Sequence, residues 1–105
     1  MSWTKKMKRA LEIDGVSVSR YYAHKKADRY IVWAEDRSEN LMGDGVKIDK
    51  KIIGTVDFFT KDEDDPAIDL IEDGFDREGV AYRLNSVQYE EDTTFIHHEW
   101  VFEVF

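Results

Sequence analysis

The chain lacks cysteine, so disulfide bonds and thiolate chemistry are excluded, while its redox compartment is left open. It also lacks any apolar run near the roughly 20 residues that a membrane-spanning helix needs. The opening segment, residues 1–6, has no apolar region of the kind found in signal peptides, which predicts a cytoplasmic origin. The chain has no phosphate-binding glycine loop and no nucleophile elbow. These absences predict a non-enzymatic domain without a cofactor and without a membrane segment.

The remaining composition is typical of a globular domain, with 42% hydrophobic and 36% charged residues. A chain of 105 residues can bury a core as one domain over residues 1–105, without disulfides or metal. The net charge of −8 is unevenly distributed: residues 1–51 carry 12 lysines and arginines against 8 acids, and the rest of the chain carries 3 against 15. This distribution argues against a nucleic-acid groove in the second half. It fits either a charged, solvated surface or electrostatic attraction between subunits.

The stretch from Lys51 to Gly79 predicts the centre of the fold. Alternating apolar residues indicate a strand with one face in the core, and a helix follows an acidic turn. Asp65 suits the N-cap of this helix, Pro66 suits its first position, and Gly79 suits its end. The core positions are Ile52, Val56 and Phe58 in the strand and Ile68, Ile71 and Phe75 in the helix.

Periodicity predicts further elements on both sides of this centre. They are an amphipathic helix over residues 2–14, strands over residues 16–22 and 30–34 that form a hairpin, and strands over residues 80–90 and 94–105. The last strand places Ile96, Trp100, Phe102 and Val104 on one face. Together these elements predict an α+β fold, a mostly antiparallel sheet of about five strands with two helices packed on one face.

Residues 35–50 differ in character from the elements around them. They are polar and contain two glycines, which predicts a long loop or a flexible hairpin tip. A loop of this length in a small domain often carries function. Leu41 and Met42 are apolar residues in this polar setting, where they either fold back on the core or contribute to an interface. We expect residues 37–50 to be mobile in the free subunit and ordered against a partner.

Two clusters of potential metal ligands occur, and neither predicts a metal site. His97 and His98 are adjacent on a strand, so their imidazoles point to opposite faces and cannot converge. His97 and Glu99 can share a face, but two ligands do not make a site. The acidic run over residues 62–65 lacks the spacing and glycine of a calcium loop, and its charge suits the N-terminus of the following helix.

Three motifs carry a resemblance to a known family: Tyr30–Trp33, Gly54–Lys61 and Tyr89–Thr93. Their order resembles that of the tail terminator (tail completion) proteins of long-tailed phages and prophages. Those proteins share an N-terminal helix, a short aromatic and aliphatic strand, an extended loop, a Val-Asp-Phe-Phe strand, an amphipathic helix and a closing strand after an acidic turn. The resemblance spans nearly the whole chain, although the first helix is short and residues 20–29 match nothing characteristic.

The resemblance implies a structural virion protein. In this family the subunits form a hexameric ring that ends tail-tube polymerisation and presents a surface to the head-tail connector protein. DNA would only pass through the channel in transit, and an acidic lining would keep it from sticking. The subunit would occupy the host cytoplasm during assembly and the virion tail afterwards. Other phage neck or head-closure subunits share parts of the pattern, and the acidic composition also fits an inhibitor that binds a basic partner surface.

The uneven charge and the polar segment together define a candidate interface. Its members are Lys5, Lys6, Lys8 and Arg9 in the first helix, Leu41, Met42 and Asp44 in the polar segment, and Asp62, Glu63 and Asp64 in the acidic turn. A ring closes through heterologous contacts, in which one patch meets a different patch on the next subunit. We therefore expect a monomer at low concentration and salt-sensitive oligomers at high concentration or on a tail tube.

Overall fold

A computed structural model describes residues 2–24, 27–43 and 46–105, with residues 41–43 and 46–49 described by their backbone alone. The elements are α1 (Trp3–Ala10), β1 (Ser17–Arg20), β2 (Tyr30–Gly43), β3 (Val46–Thr60), α2 (Ala67–Glu78), β4 (Ala81–Glu90) and β5 (Phe95–Val104). The strands form one five-stranded sheet in the order β1-β2-β3-β5-β4. The predicted α+β class is confirmed, and the order of helices and strands along the chain is the predicted one.

The predicted hairpin between the first two strands is wrong, because β1 and β2 run parallel, from Ser17 opposite Tyr30 to Arg20 opposite Trp33. The other three neighbouring pairs are antiparallel. A parallel pair requires the connection to return along the whole first strand. Since β1 has only four residues, it spans roughly 10 Å at about 3.3 Å per residue, and the nine residues between the strands are enough for the return.

The segment predicted as a loop or hairpin tip is a long β-hairpin. Pairing between β2 and β3 continues from Tyr30 opposite Phe59 to Gly43 opposite Val46. Residues 37–43 and 46–51 are here called the arm. Of these, residues 39–43 and 46–51 lie past the last residue of β3 that pairs with β5, and they pair only with one another. The molecule measures 52 × 24 × 23 Å, and its long dimension matches the 15-residue β3 at about 3.3 Å per residue. Residues 37–40 of the arm are polar and exposed. The sequence there therefore lacks the hydrophobic alternation that would predict a strand.

The hydrophobic core lies on one face of the sheet, under both helices. Its largest fully buried side chains are Trp100, Phe58, Phe75, Phe102, Met7, Leu11, Ile31, Ile71, Val56 and Val104. The predicted core positions of β3, α2 and β5 are therefore confirmed, with Ile68 and Ile96 only partly buried. The opposite face, here called the open face, is not covered by either helix.

Two glycines allow close approaches that a larger residue would prevent. At Gly74 in α2, a Cβ atom would lie 2.1 Å from the carbonyl oxygen of Ala10, so the glycine lets the two helices touch. At Gly54 in β3, it would lie 2.2 Å from the Ala34 carbonyl oxygen and 2.7 Å from Cζ of Phe102. All three distances are far below a van der Waals contact, so both positions require glycine.

The ends of α2 follow the predicted signals. The Asp65 side chain accepts a hydrogen bond from the backbone N–H of Ala67 at 2.9 Å, as an N-cap residue does. The helix begins at Ala67, whereas an N-cap at Asp65 places its first residue at Pro66. A difference of one residue is ordinary at a helix end. Gly79 ends the helix in the left-handed conformation, with φ of 71°. The capping signals in the sequence were therefore sufficient to place this helix.

Candidate assembly surfaces

The basic face of α1 is only partly available to a partner. Lys5 and Lys8 are exposed. Lys6 Nζ donates a hydrogen bond to the main-chain oxygen of Phe105 at 3.0 Å, and Arg9 Nε donates to Glu78 Oε1 at 2.8 Å. Lys6 and Arg9 thus help to hold α1 in place, so a test of this face by charge reversal should be confined to Lys5 and Lys8.

Folding also pairs some of the basic first half with the acidic second half inside one subunit. The ion pairs that do so are Arg9–Glu78, Arg29–Asp65 and Lys51–Glu103. These three cations are therefore engaged within the subunit, and the charge available for attraction between subunits is smaller than the sequence totals suggest. The exposed acids of α2 and the preceding turn still leave a strongly acidic surface around this helix.

The acidic turn before α2 contains both exposed and buried carboxylates. Asp62, Glu63 and Asp64 are exposed, and Asp62 Oδ1 accepts a hydrogen bond from the backbone N–H of Asp64 at 2.9 Å. Asp65 is buried, with 4% of its surface exposed. The first three are therefore available as an interface, whereas the fourth belongs to the interior.

Asp65 joins three parts of the chain through one carboxylate. Arg29 binds it with two nitrogens, at 2.8 and 2.7 Å, and Thr60 Oγ1 donates to Oδ2 at 2.7 Å. Burial alone would raise the pKa of this carboxyl, but the hydrogen bonds from Arg29, Ala67 and Thr60 outweigh burial and lower its pKa to about 2. The ionised form is thus the one that the fold stabilises.

We expect the fold to become less stable in acid as the Asp65 carboxylate is protonated. The pKa of the Asp65 carboxyl is about 2 in the folded state and 3.8 in the free side chain. The ionised carboxylate therefore stabilises the fold above about pH 4, and this stabilisation is lost as the pH falls through 2. At pH 6 the parent should have a higher unfolding free energy than Asp65→Asn. This difference should shrink by on the order of 2 kcal/mol between pH 6 and pH 2. Urea titrations at several pH values measure it. A difference in unfolding free energy that stays constant with pH would contradict this role of Asp65.

Two of the three remaining candidate interface residues lie in the arm. Leu41 and Met42 lie in β2, opposite Asp49 and Lys47, and their side chains are outside the described residues. Asp44 lies outside the described residues altogether. The described candidates belong to three different elements of the chain, which are α1, β2 and the acidic turn before α2.

The described strands form a sheet with two free edges, and no pattern in the sequence marks these edges as surfaces. Within the described residues, β1 and β4 each pair with a single strand, so their outer backbone groups have no strand partner. Eight large hydrophobic residues are exposed in the described part of the chain. Six of them lie at these edges: Val18, Tyr21 and Tyr22 at β1, and Leu84, Val87 and Tyr89 at β4. In sequence, alternation on an edge strand cannot be distinguished from alternation on a core strand, so only the strand order identifies these residues as surface.

The open face carries an aromatic and acidic cluster around His97. The imidazole stacks on Phe59 at 4.2 Å, and Phe59 stacks on Tyr30 at 4.6 Å. His97 Nε2 lies 2.6 Å from Asp57 Oδ1, and this hydrogen bond raises the pKa of the imidazole. The sequence places His97 and Glu99 on one face but gives no sign of Asp57, which reaches the cluster from β3 because it lies opposite Glu99 in register.

The neighbouring His98 points the other way, as predicted for adjacent strand residues. It is buried on the core side, stacked against Trp100 at 6.0 Å, and burial lowers the pKa of its imidazole. The two histidines therefore belong to different surfaces of the sheet. Of the two, His97 is the one that joins the group of three potential ligands found among the described residues.

A scan against known protein families finds no match, and a search of curated proteins finds none either. Among the helices of the described residues, none has the length and apolar character needed to cross a membrane.

Proposed function

We propose that this protein is a structural subunit of a phage tail. It assembles into a ring that ends tail-tube polymerisation and forms the surface to which the head-tail connector protein binds. The motif resemblance supports the biological setting of this proposal. The structure supports its assembly step through one observation, which is that the sheet ends in two free and different apolar edges.

The two edges suit a ring because they are not equivalent. β1 exposes Val18, Tyr21 and Tyr22 beside a four-residue strand, whereas β4 exposes Leu84, Val87 and Tyr89 along a ten-residue strand. Contact between the β4 edge of one subunit and the β1 edge of the next is heterologous, so repetition closes a ring when the rotation per subunit allows it. Backbone hydrogen bonds across such a joint would continue the sheet from subunit to subunit. The resemblance implies six subunits.

The partners outside the ring follow from the other surfaces. The arm projects from the five-stranded part of the sheet and would contact the tail tube protein, and another face of the ring would receive the connector. The exposed acids Asp62, Glu63 and Asp64 repel phosphate, so a channel that they line lets DNA pass without binding it. In this proposal the protein has no enzymatic activity, occupies the host cytoplasm before assembly and the virion tail after it, and does not bind a membrane.

A second candidate function follows from the acidity of α2. The exposed acids Asp69, Asp73 and Asp76 lie on this helix, next to the exposed acidic turn at residues 62–64. Such a surface also suits an inhibitor that occupies a basic groove on another protein. An inhibitor needs no contact between its own edges, so the two functions differ in self-assembly. A different phage neck or head-closure subunit would also assemble, and would differ in failing to bind tail tubes.

The test combines variants of the two edges. Val18→Asp with Tyr22→Asp charges the β1 edge, and Val87→Asp with Tyr89→Asp charges the β4 edge. All four residues are exposed, so each pair should leave subunit stability nearly unchanged, by about 0.5 kcal/mol or less per residue. Leu70→Asp, at an equally exposed apolar residue of α2, is the matched control. Mass is measured by light scattering over a concentration series, and rings are examined by electron microscopy with and without tail tubes.

We expect the parent protein and Leu70→Asp to form rings at high concentration or on tubes, and each edge variant alone to remain monomeric. A mixture of the two edge variants should stop at a one-to-one dimer, because it retains one intact β1 edge and one intact β4 edge. Rings formed by an edge variant would overturn the edge-to-edge contact. A parent that stays monomeric even on tubes would overturn the proposed function.

A further inference from the structure

Three potential metal ligands meet on the open face of the sheet. One imidazole nitrogen of His97 and one carboxylate oxygen each from Asp57 and Glu99 all lie within 4.8 Å of one another. Asp57 is opposite Glu99, and His97 is two residues from Glu99 on β5, so the register of two central strands sets the arrangement. Ligands that metal binds at about 2.0–2.2 Å lie roughly 3–3.6 Å apart, so small side-chain rotations would bring these three to metal-binding positions.

The imidazole is held in place before any ligand binds. His97 stacks on Phe59 with an interplanar angle of 19°, and Phe59 stacks on Tyr30 at 14°. Phe95 packs edge-on against Phe59 at 6.2 Å. The side chain of His97 is one-fifth exposed, so the ring is fixed by packing while its edge remains open to solvent. A ligand that does not need to be reoriented loses little entropy on binding.

The second ring nitrogen of His97 also faces a carboxylate. Glu90 Oε2 lies 4.0 Å from Nδ1, a distance that one bridging water or a small rotation would turn into a hydrogen bond. Metal-bound histidines usually donate their other N–H to such a group, which orients the ring and increases its basicity. The cluster therefore has three candidate ligands and an outer carboxylate in the arrangement that histidine metal sites use.

We propose that Asp57, His97 and Glu99 bind one divalent transition-metal ion of the Zn²⁺ class. One imidazole with two carboxylates suits Zn²⁺, Co²⁺, Ni²⁺ or Mn²⁺, whereas Ca²⁺ and Mg²⁺ prefer oxygen ligands only. Binding displaces the proton shared by His97 Nε2 and Asp57 Oδ1. An adjoining depression of about 440 Å³, lined in part by Asp57, Glu90 and His97, leaves room for water to complete the coordination. This site is independent of the proposed ring.

The experiment titrates the full chain, freed of metal by chelation and gel filtration, with Zn²⁺ in a calorimeter. We expect one ion per chain and a rise in melting temperature with Zn²⁺ but not with Ca²⁺ or Mg²⁺ at the same concentration. His97→Gln and Glu99→Gln should each weaken Zn²⁺ binding by at least about tenfold, and Glu90→Gln by about tenfold through the outer position. His24→Gln, at an exposed histidine elsewhere, should bind as the parent does.

A second measurement needs no variant, so misfolding cannot obscure the result. Zn²⁺ should shift the imidazole nitrogen resonances of His97 in the parent and leave those of His24 unchanged. The proposal is overturned by Zn²⁺ binding weaker than about 1 mM. Equal binding by a folded His97→Gln variant, a shift confined to His24, or equal binding of Ca²⁺ would also overturn it.

Discussion

Replacing Asp65 with alanine is expected to lower the unfolding free energy by about 3 kcal/mol. The carboxylate caps α2 through Ala67 and binds Arg29 with two nitrogens, and it accepts a hydrogen bond from Thr60. Alanine removes the cap, worth about 1 kcal/mol, and leaves the buried hydroxyl of Thr60 and the partly exposed guanidinium of Arg29 without their partner. At about 4–8 °C per kcal/mol for a domain of this size, the melting temperature should fall by roughly 12–24 °C.

Two further variants separate the parts of this effect. Asp65→Asn retains an oxygen that can cap α2 but loses the charge that binds Arg29. Its unfolding free energy should therefore lie between those of the parent and of Asp65→Ala. Asp62→Ala removes an exposed carboxylate from the same turn and should change stability by about 0.5 kcal/mol or less. Thermal and urea unfolding provide the measurement. An Asp65→Ala protein that melts within a few degrees of the parent would show that this network does not hold the turn.

Replacing Gly74 with alanine is expected to be comparably damaging, despite the higher helix propensity of alanine. The added Cβ would lie 2.1 Å from the carbonyl oxygen and 2.9 Å from the carbonyl carbon of Ala10. Both atoms are backbone, so α1 has to move away from α2. The buried side chains of Met7 in α1 and of Leu11 just after it then lose contacts. Overpacking of this kind costs about 1–3 kcal/mol or more, against a propensity gain of about 1 kcal/mol. We expect a net loss of about 2 kcal/mol, which is the upper end of this cost less the propensity gain.

The control for this prediction is Asp76→Ala in the same helix. Asp76 is exposed, so the substitution tests helix propensity without a steric clash, and stability should change little or increase slightly. Both variants are compared by urea unfolding, together with the near-ultraviolet signal of Trp3, which packs edge-on against Trp33. If Gly74→Ala is as stable as the parent, the two helices are not in direct contact at this residue.

If the ring exists, its contacts would be made mainly by apolar sheet edges and not by charge alone. Arg9 and Arg29 form ion pairs within the subunit, and exposed ion pairs contribute only about 0–1 kcal/mol each. The exposed apolar residues at β1 and β4 provide area that becomes stabilising only when a neighbour covers it. Salt should therefore weaken assembly only moderately, and reversing Lys5 and Lys8 should matter less than charging either edge.

The strand and helix at the centre of the fold could be predicted from sequence because their signals are local. Ile52, Val56 and Phe58 alternate along one strand, and Asp65 and Gly79 mark the ends of α2 through contacts with nearby residues. The apolar face of β5 likewise follows from the alternation of large side chains up to Val104. Each of these features depends on periodicity or capping over a few residues, so the chain itself determines them.

Only the tertiary structure decided features that depend on which distant strands become neighbours. The parallel direction of β1 depends on where its connection returns. Residues 37–40 of the arm are polar and exposed, so they carry no hydrophobic alternation that would predict a strand there. Leu84 and Val87 have the pattern of core residues and become surface only because β4 is an edge strand. Asp57 meets His97 through the pairing of β3 with β5, across 40 positions in sequence. Strand order and register are set by the packing of the whole domain, and no local pattern encodes them.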